Sequence, residues 1–307
     1  MKQTSMIRAG LLALAGFYLL TGVQQNASAE AKMQTRHLAV AHKPVVKGAA
    51  YFIPPQEIPH DEFGKLVRQG EQIFLDTPTY AKGYAGNGLS CANCHLDRGR
   101  RANSAPMWAA YVAYPAYRSK NKHVNTFQER LQGCFKFSMN GKPPAADSEV
   151  MNALTTYAYW MAKGAPTGDS KMAGRGYLKL EKPPLQASAE RGARVYAANC
   201  AVCHGTHGEG QKVSGKYVFP PLWGADSFNW GAGMHRIDTA AGFIKANMPL
   251  GKGGSLTDQN AWDVASYMDS QPRPQDPRFK GNVAETRQHF HNENCHYGEA
   301  GALQASR

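Results

Sequence analysis

No internal stretch of this sequence approaches 18 consecutive apolar residues, which excludes a polytopic membrane protein. Acid is scarce. Asp and Glu number 23 against 35 Lys and Arg, and the formal net charge is +12 over 307 residues. Such a surplus suits acidic partners or anionic substrates and does not by itself call for nucleic acid. Charged residues make up only 19% and apolar residues 42%, which fits a folded chain of one large or two small domains, not a disordered one. Glycine (31) and proline (18) are frequent and predict many loops. Cysteine is sparse, six in all, and four of the six fall in two short motifs.

The N-terminus has its own pattern. Lys2 and Arg8 precede an apolar run over 9–23, and Ala27-Ser28-Ala29 offers a small-x-small cleavage site before Glu30. Residues 1–29 are therefore expected to be a secretory signal peptide, with an uncleaved anchor as the alternative. Export would bring the chain into an oxidising compartment, with no integral span in the mature chain.

Cys91-Ala92-Asn93-Cys94-His95 and Cys200-Ala201-Val202-Cys203-His204 are both C-x-x-C-H. In an exported chain this spacing predicts covalent c-type haem attachment. Both thiols form thioethers to the vinyl groups, and the adjacent histidine reaches the iron from one side. Paired C-x-x-C also binds zinc or carries redox chemistry. However, each pair here is followed at once by histidine, and the pairs lie 109 residues apart. Two haem c groups are the expected cofactors, with His95 and His204 as iron ligands.

Local signals arrange the rest into a repeated plan. Asp61 opens a predicted helix to 74. Thr126-Phe127-Gln128-Glu129 is a capping box for a helix over 127–139, and Asp147 or Ser148 caps another to 162. Residues 165–187 read as a linker. Ser188 then caps a helix leading to Cys200, a short helix covers 239–247, and Thr257 caps a closing helix to 268. Each half reads helix, C-x-x-C-H, loops, short helix, closing helix. The expected fold is all-α, two tandem cytochrome c-type domains: residues 30–164 around haem 1, residues 188–271 around haem 2, and a polar tail over 272–307 that wraps the surface or is loose. In that tail His289, His291, Cys295 and His296 cluster, which is compatible with metal binding, although a solvated tail is the simpler expectation.

Each iron needs a sixth ligand. Met248, followed by Pro249, lies 44 residues beyond His204 and is the candidate at haem 2, with Met234 and Met268 as competitors. In the first half the comparable position holds Cys134, 39 residues beyond His95. Arg130, Cys134 and Ser138 recur at i, i+4 and i+8, so a helix would put them on one face, and a basic neighbour favours the thiolate. The competing readings are an inert cysteine with Met139 on the iron, or a Cys134–Cys295 disulfide.

The first motif with Leu96-Asp97-Arg98-Gly99, and the segment Glu129-Arg130-Leu131-Gln132-Gly133-Cys134-Phe135-Lys136-Phe137-Ser138-Met139-Asn140-Gly141, resemble the periplasmic two-haem thiosulfate dehydrogenases that form tetrathionate. The likeness continues through the second motif, Pro220-Pro221-Leu222-Trp223-Gly224 and Met248-Pro249. It implies that Cys134 is both distal ligand of haem 1 and substrate-binding residue. It further implies that Arg130 and Ser138 line the substrate pocket, and that a second basic residue, Arg118 or Lys120, lies upstream. Thiosulfate and tetrathionate are then the expected small-molecule partners, together with a small periplasmic electron-carrier protein. Some relatives have a lysine before the haem 2 methionine where this chain has Asn247. Two other readings stay open: a non-catalytic two-haem electron carrier, and a haem-thiolate protein that transfers thiosulfate to a sulfur carrier.

Overall fold

The structure, a computed structural model, describes residues 50–291 and 294–299. The signal-peptide reading of residues 1–29 lies outside the described residues. Helix α1 (Glu62–Leu75) begins where Asp61 accepts a hydrogen bond from the Gly64 amide at 2.8 Å. The first C-x-x-C-H follows on a 3₁₀ turn, Cys91–Asn93, and a kinked turn, Leu96–Gly99. Next come α2 (Met107–Val112), the antiparallel pair β1 (Ala116–Arg118) and β2 (His123–Asn125), α3 (Phe127–Gly133) and α4 (Glu149–Met161). In the second half α5 (Ala189–Asn199) runs into the turn Ala201–His204, which carries the second motif. The pair β3 (Gln211–Val213) and β4 (Lys216–Phe219) leads to α6 (Ile237–Asn247) and α7 (Asp258–Asp269). Thr126, Ser148, Ser188 and Thr257 each accept the capping hydrogen bond that the sequence predicts.

The two halves use the same helix crossing. In each, the helix before the motif packs across the closing helix: α1 on α4 and α5 on α7. Glycine makes both crossings close. A Cβ on Gly70 would stand 2.1 Å from the Ala153 carbonyl oxygen, and one on Gly192 2.0 Å from that of Asp263. Arg191 locks the second crossing with two 2.8 Å bonds to the Asp263 carboxylate. The fold is mostly helical, as the sequence predicts, and the two short hairpins are additions to that reading.

Two stretches differ from the sequence expectation. The predicted helix over 127–139 stays α-helical only to Gly133 and widens to a π-turn over Cys134–Ser138. The described part of the tail, residues 272–291 and 294–299, packs onto the fold. It carries α8 (Val283–Phe290) and buries Arg273, Asp276, Cys295 and Tyr297. Its apolar content is low, so hydropathy did not signal this packing. The tail is held by buried ion pairs and aromatic stacking.

One continuous core runs through both halves. Asn229 donates from Nδ2 to the Lys136 carbonyl (2.9 Å) and to Asn140 Oδ1 (3.0 Å) on the π-turn side. Asn247 donates to the Asn103 carbonyl at 3.2 Å. The stretch read as a linker packs on both halves: the Asn103 amide donates to the Gly174 carbonyl, and Trp262 Nε1 to that of Glu181.

Candidate functional site

His95 Nδ1 lies 2.7 Å from the Ala105 carbonyl oxygen, and His204 Nδ1 lies 2.9 Å from that of Pro220. A carbonyl only accepts, so each Nδ1 carries a proton, which leaves Nε2 as the nitrogen that would face an iron. That is the tautomer an iron ligand needs, held by its outer hydrogen bond. Cys91, Cys94, Cys200 and Cys203 are free thiols on the turns that carry the two histidines. The Cys134 sulfur meets the His95 ring, so a thiol and an imidazole that could flank one iron face each other. The donor set fits a covalently attached haem in each half.

Cys134 opens the π-turn, and Arg130, one turn earlier on α3, donates from Nη1 to its sulfur at 3.0 Å. A π-turn widens the ladder and turns its side chains relative to an α-helix, and such turns recur at functional sites. The electrostatic contrast among the cysteines is large. Burial pushes Cys91 up to about 12 and Cys94 up to about 11. Burial acts on Cys134 too. There the Arg130 charge comes next, followed by the hydrogen bond and charge of His95, and together they outweigh burial and bring the thiol down to about 6. Cys134 is thus the one cysteine set up as a thiolate among those near the first motif. Cys134 and Cys295 are both free, which removes the disulfide reading.

The other candidates are placed as follows. Ser138 ends the π-turn, and its carbonyl accepts from Asn87 Nδ2 at 3.0 Å. Arg118, on β1, donates to the Tyr114 hydroxyl at 2.5 Å, and Tyr114 in turn acts electrostatically on Arg130. Lys120 is half-buried and not on a solvated face. Its ammonium sits 3.8 Å over the Phe137 ring and donates to the Gly231 carbonyl. Burial first, then the charges of Arg278 and Arg130, pull that ammonium down to about 7. Arg118 and Lys120 therefore both belong to one cationic cluster with Arg130. Met248 caps α6 and packs, partly buried, against the core.

Two residues of this region were not legible in the sequence. Tyr177, from the stretch read as a linker, lies among Cys94, Arg130 and Cys134, and burial chiefly keeps its hydroxyl protonated. Arg278, from the tail, stacks 5.2 Å from the Phe137 ring centre and adds its charge at Lys120. Neither residue sits in a motif, and only the chain's return path brings each one here.

Comparison with known proteins agrees with this geometry. The SoxA/TsdA cytochrome c domain family matches residues 78–167, and the family described as cytochrome c oxidase, cbb3-type, subunit III matches 187–268. A protein named thiosulfate dehydrogenase from Stutzerimonas stutzeri is 57% identical over 86% of this chain and 87% of its own length. One of the same name from Thiomonas intermedia is 54% identical over 94% and 91%. Among solved structures, thiosulfate dehydrogenase (TsdBA) from Marichromatium purpuratum in its as-isolated form superposes with a TM-score of 0.80 at 50% identity, covering 83% of this chain. This chain spans 58% of that one. The two halves are cytochrome c domains, and the chain carries two covalently bound haem c groups.

Proposed function

The chain belongs to the thiosulfate dehydrogenase family, and on that premise we propose that it joins two thiosulfate ions into tetrathionate at Cys134. The observation that carries the reading is the 3.0 Å bond from Arg130 Nη1 to a Cys134 sulfur that also faces His95. A purely electron-carrying cytochrome has no use for a half-buried thiol that burial alone would protonate and an arginine ionises.

Thiosulfate is a dianion, and coupling two of them opposes repulsion. One pair of unit charges about 4 Å apart repels by about 4 kcal/mol at an effective dielectric of 20. Arg130 with Arg118 and Lys120 supplies the opposing field, and Arg130 can bond an oxyanion through two donors. Ser138 lines the same pocket. The sulfane sulfur of the first thiosulfate bonds to the Cys134 thiolate, giving a cysteine thiosulfonate and releasing two electrons. The sulfane sulfur of a second thiosulfate then attacks, displaces the Cys134 thiolate and leaves as tetrathionate. Cys134 thereby splits one hard step into two. Cys91, Cys94 and His95 would hold one haem and Cys200, Cys203 and His204 the other, and these groups would supply one-electron acceptors for the two electrons released. Cys134 is the proposed sixth ligand of haem 1 and Met248 that of haem 2. A sulfur ligand of the methionine type raises the potential and favours outward transfer to a small electron-carrier protein.

We place the reaction in the periplasm, on the strength of the signal-like residues 1–29 and two haem-attachment motifs. Among the described residues no helix is long and apolar enough to cross a membrane. The test is direct: Cys134→Ala should abolish thiosulfate-dependent ferricyanide reduction and change the haem 1 spectrum. Retention of both would overturn the proposal. If tetrathionate appears as sole product with no carrier protein added, transfer to a sulfur carrier is excluded.

A further inference from the structure

Away from Cys134, a second group of ligand-type side chains converges where the tail folds back on the second half. His235 comes from the 3₁₀ turn Gly233–His235, His291 caps α8, and Cys295 follows four residues later. All three are buried, and their donor atoms lie within 4.8 Å of one another. Cys295 Sγ is 3.0 Å from His235 Nδ1 and 3.3 Å from His291 Nδ1. The sequence cluster pointed to a different set. His289 is exposed beside Phe290, and His296 binds Ser266 and Glu299 instead. His235, from another part of the chain, takes their place.

We propose that His235, His291 and Cys295 form a buried three-coordinate site for copper(I), separate from both haem sites. The donor chemistry is one soft thiolate and two imidazoles, a set that selects copper over hard cations. Donors about 2.0–2.3 Å from one ion lie about 3.3–4 Å apart, so the 3.0 and 3.3 Å hydrogen-bond separations need open by only a few tenths of an ångström to admit an ion. An outer partner is already present. Asp276 Oδ2 lies 3.1 Å from His291 Nε2, so the carboxylate holds that N–H and leaves the Nδ1 lone pair facing the sulfur. Arg278 fixes Asp276 in turn, with contacts of 2.6 and 2.9 Å. The rings are held as well. Tyr297 stacks on His291 at 4.1 Å, and Trp230 stands edge-on to both rings.

Charge and ligand number choose the ion. Lys120, Arg273, Arg278 and Arg287 act on these three groups, opposed by Asp269 and Asp276. In so cationic a setting a monovalent ion that replaces the thiol proton adds no net charge: Cys–SH and Cu⁺ give Cys–S–Cu and H⁺. Zinc would add one positive charge and ask for a fourth ligand. No fourth His, Cys, Asp or Glu joins the group among the described residues. A bound ion would tie the tail to the segment 229–237, which already donates to it from Trp230 N to Pro274 O (3.1 Å) and from Ile237 N to Asn294 O (3.0 Å). That clip would hold Arg278 beside Lys120 and Phe137.

The test uses the full chain with both haems in place. Anaerobic equilibrium dialysis against chelator-buffered copper(I), without thiosulfate, is followed by elemental analysis of copper per haem iron. The wild type should retain one copper for every two irons. Cys295→Ser and His235→Gln should retain under a tenth of that, and His289→Gln the full amount. Soret spectra report whether each variant is folded. Copper K-edge absorption on the wild type gives an answer that needs no variant, and one sulfur with two nitrogens is expected. Three results would each overturn the proposal: no copper above background, which leaves a hydrogen-bonded thiol; equal copper in Cys295→Ser; or retention of zinc with four ligands in place of copper.

Discussion

Replacing Arg130 with methionine keeps an unbranched apolar stem on the helix and removes the guanidinium and its charge. A hydrogen bond to a charged group contributes about 1.5–3 kcal/mol, and Arg130 makes one to Cys134 at 3.0 Å. In the proposed complex the same guanidinium also faces the bound dianion. At about 5 Å and an effective dielectric of 20, one unit charge contributes about 3 kcal/mol more. Each 1.36 kcal/mol is tenfold in rate, so the hydrogen bond alone predicts a drop of at least about tenfold in kcat/KM, and both effects together about 10³–10⁴-fold. Losing the Arg130 charge also lets burial raise the Cys134 thiol from its position near 6. Arg130→Lys should recover part of the loss, because it restores the charge but not the two-pronged geometry. Steady-state ferricyanide reduction with thiosulfate gives the ratio, and dithionite reduction of both haems in the same preparations shows that electron uptake is otherwise intact. An Arg130→Met protein within threefold of wild type, with its haem 1 spectrum unchanged, would refute the reasoning.

Four further outcomes are expected. Met248→Gly should lose the near-infrared sulfur-to-iron band of the oxidised protein, whereas persistence of the band would assign the ligand to Met234 or Met268. The Lys120 ammonium, pulled down to about 7 chiefly by burial and the charge of Arg278, is a cation below that pH and neutral above it. KM for the thiosulfate dianion should therefore rise as pH climbs through 7, and Lys120→Gln should flatten the profile with a higher KM at pH 6. A flat wild-type profile removes Lys120 from the pocket. Gly192→Ala would drive a methyl group into the Asp263 carbonyl at 2.0 Å, and overpacking costs about 1–3 kcal/mol. Thermal denaturation should show a midpoint lower by several degrees. Gly176→Ala, with nothing within 4 Å of the new methyl, should leave the midpoint unchanged.

Much of this protein is written in short local signals. Both C-x-x-C-H runs, the capping residues Thr126, Ser148, Ser188 and Thr257, and the i, i+4 relation of Arg130 to Cys134 all act within one or two helical turns. Local chemistry of this kind needs no knowledge of where the chain goes next, so it could be read in the sequence. The close crossings at Gly70 and Gly192 were not readable, because a glycine does not announce which carbonyl will lie against it. Nor was the π-turn at Cys134, whose widened ladder is sealed from outside by Asn87 and Asn229.

The sequence by itself determined the two haem-binding halves, their helical order and the cysteine on which the proposed chemistry rests, because covalent attachment and helix capping are contiguous in the chain. Tertiary structure decided the rest. It brought Tyr177 from the linker to Cys134 and Arg278 from the tail to Lys120 and Phe137. It set the Lys120 ammonium over the Phe137 ring and assembled His235 with His291 and Cys295. Most of those meetings join residues far apart in the chain, and packing and charge pairing across the fold select them, with no trace in local pattern.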